Sequence, residues 1–332
     1  MDRAERTEAE RRLDRVVRAA GVPDVVEVLT ETPVTDGILQ TLLLEVYRRR
    51  AAAVSPSRLL ARYEGNRFVA PSPVDPLDLA RLEASIHDRL TVHGITGLAL
   101  SPVTPLGTNS AIATVDQYKV LTTIRNTEVV ADATNVLALE CAVRRRALLR
   151  SDPRSRDRIR LGATHRVTRA QPFEGRGTMA HFALLSLCTA GRDEGSLRFE
   201  TSALAEQIAV HLDVLDRVRD IGCPVANVRV NVTDLTEGRH RSVLREQVVD
   251  RLAAEQPAVS VSFDDERTHG AGYYVDVCFE IHARTPDGAE LNIADGGVTR
   301  WTADLLDNAK ERLAISALGI ERLLAEFRLR TR

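Results

Sequence analysis

The chain has 332 residues, 44% hydrophobic and 28% charged, which are the proportions of an ordinary globular protein. Its formal net charge of −2 excludes a global field for nucleic acid or for a membrane surface. That length admits one catalytic-size domain with a smaller appendage.

The N-terminus, "MDRAERTEAERRLDR", is charged throughout and does not read as a signal peptide. No apolar run approaches the roughly 20 residues of a membrane span, so no membrane association is expected. The four cysteines, Cys141, Cys188, Cys223 and Cys278, are far apart and form no CxxC pair. They suit a reduced cytosol with buried thiols and no zinc, and a cytoplasmic protein is expected. Lys119 and Lys310 are the only lysines, so the basic residues are nearly all arginine, which a GC-rich genome explains.

Residues 1–72 predict a small helical N-terminal domain. Leu13, Val16, Val17 and Ala20 share one helical face, stopped by Gly21 and Pro23. A second helix follows Asp36 and should bury Ile38, Leu39, Leu42, Leu43, Val46 and Tyr47. A third starts at Ser55-Pro56, a cap followed by proline at the first helical position. The proline-rich "APSPVDP" (70–76) marks the boundary to a second domain, 73–332.

That domain opens on a capped helix at Asp75-Pro76 with Leu79, Leu82, Ile86 and Leu90 on one face, ending near Gly94. Strand-like runs are expected at 118–125 and 128–132, then a helix over 134–149. Two strands, 159–166 and 181–189, are joined by a long loop. A helix over 200–218, a strand over 227–233 and a helix over 241–254 follow. The alternation in "YVDVCFEIHA" is the clearest strand signal in the chain. Long antiparallel strands with helices at the edges predict an α+β fold, an antiparallel sheet flanked by helices.

Five stretches carry candidate chemistry. In the hairpin "RLGATHRVTRAQPFEGRGTMAHF", Arg166 ends a strand, Arg169 and Arg176 lie in the loop, and Phe182 offers a flat face for a ring. Arginine suits phosphate because its planar fork donates two hydrogen bonds at once, although an exposed arginine-rich hairpin is equally compatible. In "LGIERL", Arg322 stands at a strand-to-helix turn, where it could hold an anion or pair with Glu326 one turn on. In "VVADATNVLALE", Thr134 reads as a helix cap and Asp132 as a free acid able to hold an ammonium. In "HGAGYYVDVCFEIHA", Tyr273 and Tyr274 should point to opposite faces, with Glu280 and His282 in a polar row beside Tyr274. "ADGGVTRWT" reads as a glycine turn containing Asp295, Gly296 and Arg300.

In this order the pieces resemble a class II aminoacyl-tRNA synthetase catalytic core, and among those the histidyl-tRNA synthetase group and its paralogues. The likeness covers about residues 76–327. The helix from Asp75 with the strand before Pro102 resembles the family's first motif, which implies a homodimer. The hairpin resembles the second motif and "LGIERL" the third, while "DAT", "GAGYYVDVCFE" and "ADGG" resemble the group's amino-acid site. The resemblance implies that Arg166 grips the α-phosphate of ATP, Arg322 the γ-phosphate, that Arg176 assists, and that Phe182 stacks on adenine. It also implies that Asp132, Thr134, Tyr273, Tyr274 and Gly296 hold the amino acid, and that Mg²⁺ bridges the phosphates, held by Glu280 and Asp295. Carboxylate attack on the α-phosphate then gives an acyl-adenylate and pyrophosphate.

Departures from the pattern narrow the function. Thr168 stands where the second motif has glutamate, and His269 where the histidyl group has arginine, which makes His269 a catalytic candidate. Leu184 and Cys188 occupy the places expected to read an imidazole, so the substrate is not expected to be histidine. No anticodon-binding domain follows the third motif, and the N-terminal helices carry no aromatic–basic stripe, so tRNA is not the expected acceptor. The expectation is an adenylate-forming ligase that passes an amino-acid-like acid to a carrier protein or small amine. The alternatives are an inactive paralogue acting as a metabolite-binding regulatory subunit, and an enzyme that aminoacylates or modifies a tRNA acceptor stem.

Overall fold

The computed structural model describes residues 3–31, 33–113, 115–171, 179–267 and 272–329, with side chains from residue 10 onward. The first elements are α1 (Arg3–Ala20), α2 (Val25–Thr30), α3 (Asp36–Ala52) and α4 (Pro56–Glu64). Thr35 and Ser55 cap α3 and α4 by accepting from the Ile38 and Arg58 amides. These helices have no buried core of their own. Of the residues expected inside, Ile38, Leu42, Val46 and Tyr47 are exposed and Leu39 and Leu43 are half-buried.

The main body starts at α5 (Pro76–Val92), where Asp75 accepts from the Leu77 and Asp78 amides. Then come β1 (Thr96–Gly97), β2 (Val103–Pro105), α6 (Thr108–Ala113), β3 (Thr127–Val129) and α7 (Ala133–Ser151). The strand expected at 118–125 does not form. Residues 117–119 make a 3₁₀ turn capped by Asp116, and Thr122 makes only an isolated bridge to Glu128. Next are β4 (Ile159–Thr168), β5 (His181–Arg192), α8 (Arg198–Val218) and β6 (Ala226–Asp234). The helix expected over 241–254 is α9 (Arg241–Leu244) and α10 (Arg251–Glu255) joined by a π-helical turn, Arg245–Asp250. The chain ends with β7 (Ser260–Phe263), β8 (Val275–Arg284), β9 (Glu290–Thr299), α11 (Trp301–Leu306), β10 (Glu311–Leu318) and α12 (Ile320–Glu326).

Among the described residues, eight strands form one sheet in the order β1-β4-β5-β10-β9-β8-β6-β7. The six central strands run antiparallel, as expected; the two edges, β1 on β4 and β7 on β6, are parallel. The expected glycine turn "ADGG" lies inside β9, where Gly296 pairs with Ser316 and Phe279. Both neighbours need that glycine: a Cβ there would sit 2.5 Å from Phe279 and from Ser316. β9 lies between β10 and β8, so close contact between three strands has replaced the turn.

Alternation divides the sheet into two faces. Ala183, Leu185 and Leu187 of β5 face one way, into a core with Leu82, Ile86, Phe199, Leu204 and Phe279 from α5, α8 and β8. Leu161 and Ala163 of β4, Cys188 and Ala190 of β5, and Leu313 and Ile315 of β10 face the other way, under α7 and α11. The second face is pinned by a fully buried ion pair. Arg145 of α7 gives Nε and Nη2 to the two oxygens of Glu311 at 2.7 and 2.9 Å, and donates to the Asp157 and Ser155 carbonyls. Removing one member of such a pair strands the other charge. Arg145→Ala is therefore expected to cost about 3–5 kcal/mol in urea unfolding; a loss under about 1 kcal/mol, the range of an exposed pair, would contradict this.

His211 of α8 is enclosed on the first face, its Nε2 2.8 Å from Ser316 Oγ. Burial pushes its imidazole down to about 3. The folded value lies below the unfolded value of about 6.5, so the unfolded chain binds more protons between those limits. Stability from this group is complete above about pH 6.5 and falls as pH drops toward 3. The His211→Gln variant should show a shallower loss of urea midpoint from pH 7 to pH 4 than the parent; an unchanged slope would count against it.

Candidate functional site

Two adjoining cavities open over the second face, beside α7. The outer one, about 320 Å³, is lined by Arg169, Met179, Phe182, Leu184, Ile293, Ala294, Gly319 and Arg322 among others. The inner one, about 470 Å³, is lined by Lys119, Asp132, Thr134, Gln171, Arg267, Tyr273, Tyr274 and Glu280 among others. Arg169, Asn292, Asp295 and Ala317 line both, so the two form one continuous space.

Arg166 is not in it. Arg166 pairs with Ala183 across the sheet, whereas Phe182 pairs with Val167, so Arg166 and Phe182 stand on opposite faces. Arg166 instead gives Nη2 and Nη1 to Glu321 Oε1 and Oε2 at 2.5 and 3.1 Å, and contacts His181 Nδ1. Glu321 also accepts from Ser72 Oγ and from the Ala183 amide. Burial alone would push that carboxyl up, but these donors hold it below the usual carboxylate range. The arginine that reaches the cavity is Arg169, one residue beyond the end of β4. Its guanidinium lies 5.3 Å over the Phe182 ring, donates to the Ala131 carbonyl and lies 3.4 Å from Asp132 Oδ2. With Arg169 in the cavity, the position two residues on is Gln171, which lines the inner cavity, and Thr168 drops out of consideration.

Asp132, read as a free acid, is the N-cap of α7: its Oδ1 accepts from the Thr134 amide and hydroxyl, leaving Oδ2 to Arg169. The tyrosines do not alternate. They lie in a turn before β8 begins, and both line the inner cavity in edge-to-face contact at 4.9 Å, with Tyr273 also against Trp301. Burial pushes both phenols well up, and Tyr274 donates to Asp295 Oδ1. Arg322 lines the outer cavity and donates to the Asn292 carbonyl at 3.0 Å. Gly296 faces Phe279 on the opposite side of the sheet and takes no part in the lining. Arg300 is exposed, 3.9 Å from Asp304. Arg176 and His269 lie outside the described residues.

Glu280 and Asp295 are cross-strand partners on β8 and β9, but their cation is Arg267. Its Nη2 is 2.5 Å from Asp295 Oδ2 and 3.8 Å from Glu280 Oε1, and Glu280 also meets Asn292 Nδ2 and His282 Nε2 at 3.0 and 3.2 Å. Burial pushes the Asp295 carboxyl up, against the pull of Arg267. Guanidinium and amide donors thus occupy the oxygens a magnesium ion would need, and the pair does not fit Mg²⁺. Among the described residues no cluster of three or more His, Cys, Asp or Glu could hold a metal ion. Three guanidinium groups and one aromatic face line the space. Sequence reasoning missed Arg267, two residues before His269; its cue was the nearest arginine ahead of the tyrosines.

No protein-family profile matches the chain, and no curated protein matches it. Solved structures do. The apo histidyl-tRNA synthetase of S. aureus is 17% identical over 76% of this chain and 67% of its own, with a TM-score of 0.55. An ATP phosphoribosyltransferase regulatory subunit/histidyl-tRNA synthetase from Bacillus halodurans is 15% identical over 77% of this chain and 83% of its own, with a TM-score of 0.54. A histidine–tRNA ligase subunit from Alicyclobacillus acidocaldarius is 14% identical over 77% and 94%, also with a TM-score of 0.54. No helix among the described residues is long and apolar enough to cross a membrane.

Arg166→Ala should lower the melting temperature, because it leaves Glu321 buried against fewer donors, and should leave the affinity for ATP unchanged. Arg169→Ala should do the reverse, weakening ATP at least tenfold with little change in melting. Paired calorimetry and thermal melts check both, and loss of ATP affinity in Arg166→Ala alone would contradict the placement. The sheet order, the helices on both faces and the likeness to these three structures give the chain a class II aminoacyl-tRNA synthetase-like fold.

Proposed function

We propose that the chain activates an amino acid with ATP as an acyl-adenylate and passes the acyl group to an acceptor other than tRNA, a carrier protein or a small amine. The observation that carries this reading is the set of three arginines, Arg169, Arg267 and Arg322, lining one continuous space with Phe182. Three fixed guanidinium groups suit a polyanion, and where ligand contacts replace their carboxylate partners they favour a transition state in which negative charge moves between phosphates. The His269 departure loses weight, because Arg267 supplies a guanidinium group at the cavity itself, while the missing glutamate moves from Thr168 to Gln171.

The residues divide the work. Phe182, Met179 and Leu184 offer the apolar side of the outer cavity to a nucleobase, and Arg322 and Arg169 neutralise the phosphates. Asp132 Oδ2 and the Tyr273 and Tyr274 phenols face the amino acid's ammonium. Exchange of the Asp132–Arg169 pair for ligand contacts frees the guanidinium for the α-phosphate. The substrate carboxylate oxygen attacks the α-phosphorus, the bond to the bridging oxygen breaks, and pyrophosphate leaves with its electron pair. Arg267, held between Asp295 and Glu280, lines the inner cavity and steadies the pentacoordinate phosphorus. An acceptor thiol or amine then attacks the acyl carbon and releases AMP.

A second reading, a metabolite-binding regulatory subunit, is supported by Gln171. The resemblance puts glutamate two residues after the hairpin arginine, and counted from Arg169 that position carries a neutral amide. One of the similar structures also bears a regulatory name. Homodimer formation through α5 and the segment after it is proposed from the same resemblance.

ATP–pyrophosphate exchange with single amino acids separates the readings. Exchange that depends on one acid is expected, and Arg267→Ala should lower its rate at least a hundredfold, the scale of a lost charge-stabilising donor, with partial rescue by Arg267→Lys. Amino-acid binding without exchange would favour the regulatory reading.

A further inference from the structure

The inner cavity is bounded by a chain of buried polar groups whose direction is fixed. Glu128 of β3 is fully buried, and its carboxylate takes four hydrogen bonds: from the Gly107 and Asn109 amides, from Asn109 Nδ2 and from Gln117 Nε2, at 2.6–2.9 Å. Burial alone would push that carboxyl up, but these donors hold it below the usual range, so it stays ionised and can only accept. Asn109 must therefore turn its NH₂ toward Glu128 and its carbonyl away. Asn109 Oδ1 accepts from Asn135 Nδ2 at 2.8 Å. The direction passes on once more: Asn135 must present Oδ1 at the far end. That oxygen is buried and has no hydrogen-bond partner among the described residues. Asn109 and Asn135 both line the inner cavity, as do Ala113, Val115 and Ile315, whose side chains have no donor to give that oxygen.

Buried acceptors are almost always satisfied. Here the carboxylate at the start of the chain dictates that whatever satisfies the end must donate. We propose that the inner cavity selects an amino acid whose side chain ends in a hydrogen-bond donor, a hydroxyl, amide or amino group, and that Asn135 Oδ1 reads it. Glu128 and Asn109 act as positioning residues that keep the Asn135 amide from turning over. The inference rests on the reading that this cavity holds an amino acid. It explains selection of a polar side chain without an imidazole reader, because an amide held in one orientation rejects an apolar isostere by leaving its own oxygen unpaired.

The test uses the full chain and matched ligands that differ in one group: L-threonine against L-valine, L-homoserine against L-norvaline, and L-serine against O-methylserine. Each is titrated by calorimetry, with ATP–pyrophosphate exchange measured in parallel. Within the pair that binds, the donor is expected to bind at least about tenfold tighter than its partner. Asn135→Leu should reduce that ratio to near unity. Glu128→Gln should reduce it too, without touching the ligand, because a glutamine there can donate to Asn109 and release the direction of the chain. It is close to isosteric, so it carries the test if Asn135→Leu does not fold. A ratio unchanged in Glu128→Gln, or preference for the apolar member while exchange persists, overturns the Asn135 assignment and leaves the activity standing. Failure of every amino acid to bind overturns the functional reading and this inference together.

Discussion

The Glu321 carboxylate is the constraint around which the site is arranged. It is buried on α12 and joins three parts of the chain: Arg166 at the end of β4, the Ala183 amide of β5, and Ser72 in the segment leading from the N-terminal helices. The same segment gives the Ala70 carbonyl to His181, and Arg67 donates to the Ala170 and Gln171 carbonyls. The hairpin beside the cavity is therefore tied at its base to the last helix and to the residues before α5. A buried carboxylate with three kinds of donor is costly to disturb. Holding Arg166 on that face leaves Arg169 as the guanidinium that enters the cavity from this hairpin.

Most of the frame was legible in the sequence. The 159–166 and 181–189 strands, the 200–218 helix and the long alternation from Val275 all formed, each a few residues longer or shorter than expected, because period two and period 3.6 are strong signals in long segments. The 118–125 run misled because Asp116 caps a 3₁₀ turn at 117–119 and turns the chain there instead. The "ADGG" stretch misled for the opposite reason. Paired glycines suggest a turn, but in β9 they allow Phe279, Tyr274 and Ser316 to approach the backbone closely.

The site was legible only in outline. Arg322, Phe182, Asp132, Thr134 and both tyrosines line the cavity. The error at Arg166 was one of parity. Leu161, Ala163 and Val167 show which face of β4 lies under α7, and Arg166 falls on the other. Asp132 was misjudged because either of two residues could cap α7, and the aspartate two positions earlier took the cap. Arg267 escaped because a loop fixes no spacing. Its partners Asp295 and Glu280 lie on neighbouring strands, a pairing that only the sheet register reveals.

The cavity that results is rich in paired charge. Asp132 meets Arg169 and Asp295 meets Arg267, so opposite charges close on one another and these two cations are positioned before a ligand arrives. Such preorganisation lets a site stabilise moving charge without rearranging at the moment of reaction. The most direct test is a crystal structure of the full chain with a sulfamoyl analogue of an acyl-adenylate. The account predicts the Arg169 guanidinium within hydrogen-bonding distance of the sulfamate, Arg267 beside it, and Arg166 still paired with Glu321. A structure in which Arg166 has left Glu321 to grip the sulfamate, with Arg169 turned away, would contradict it.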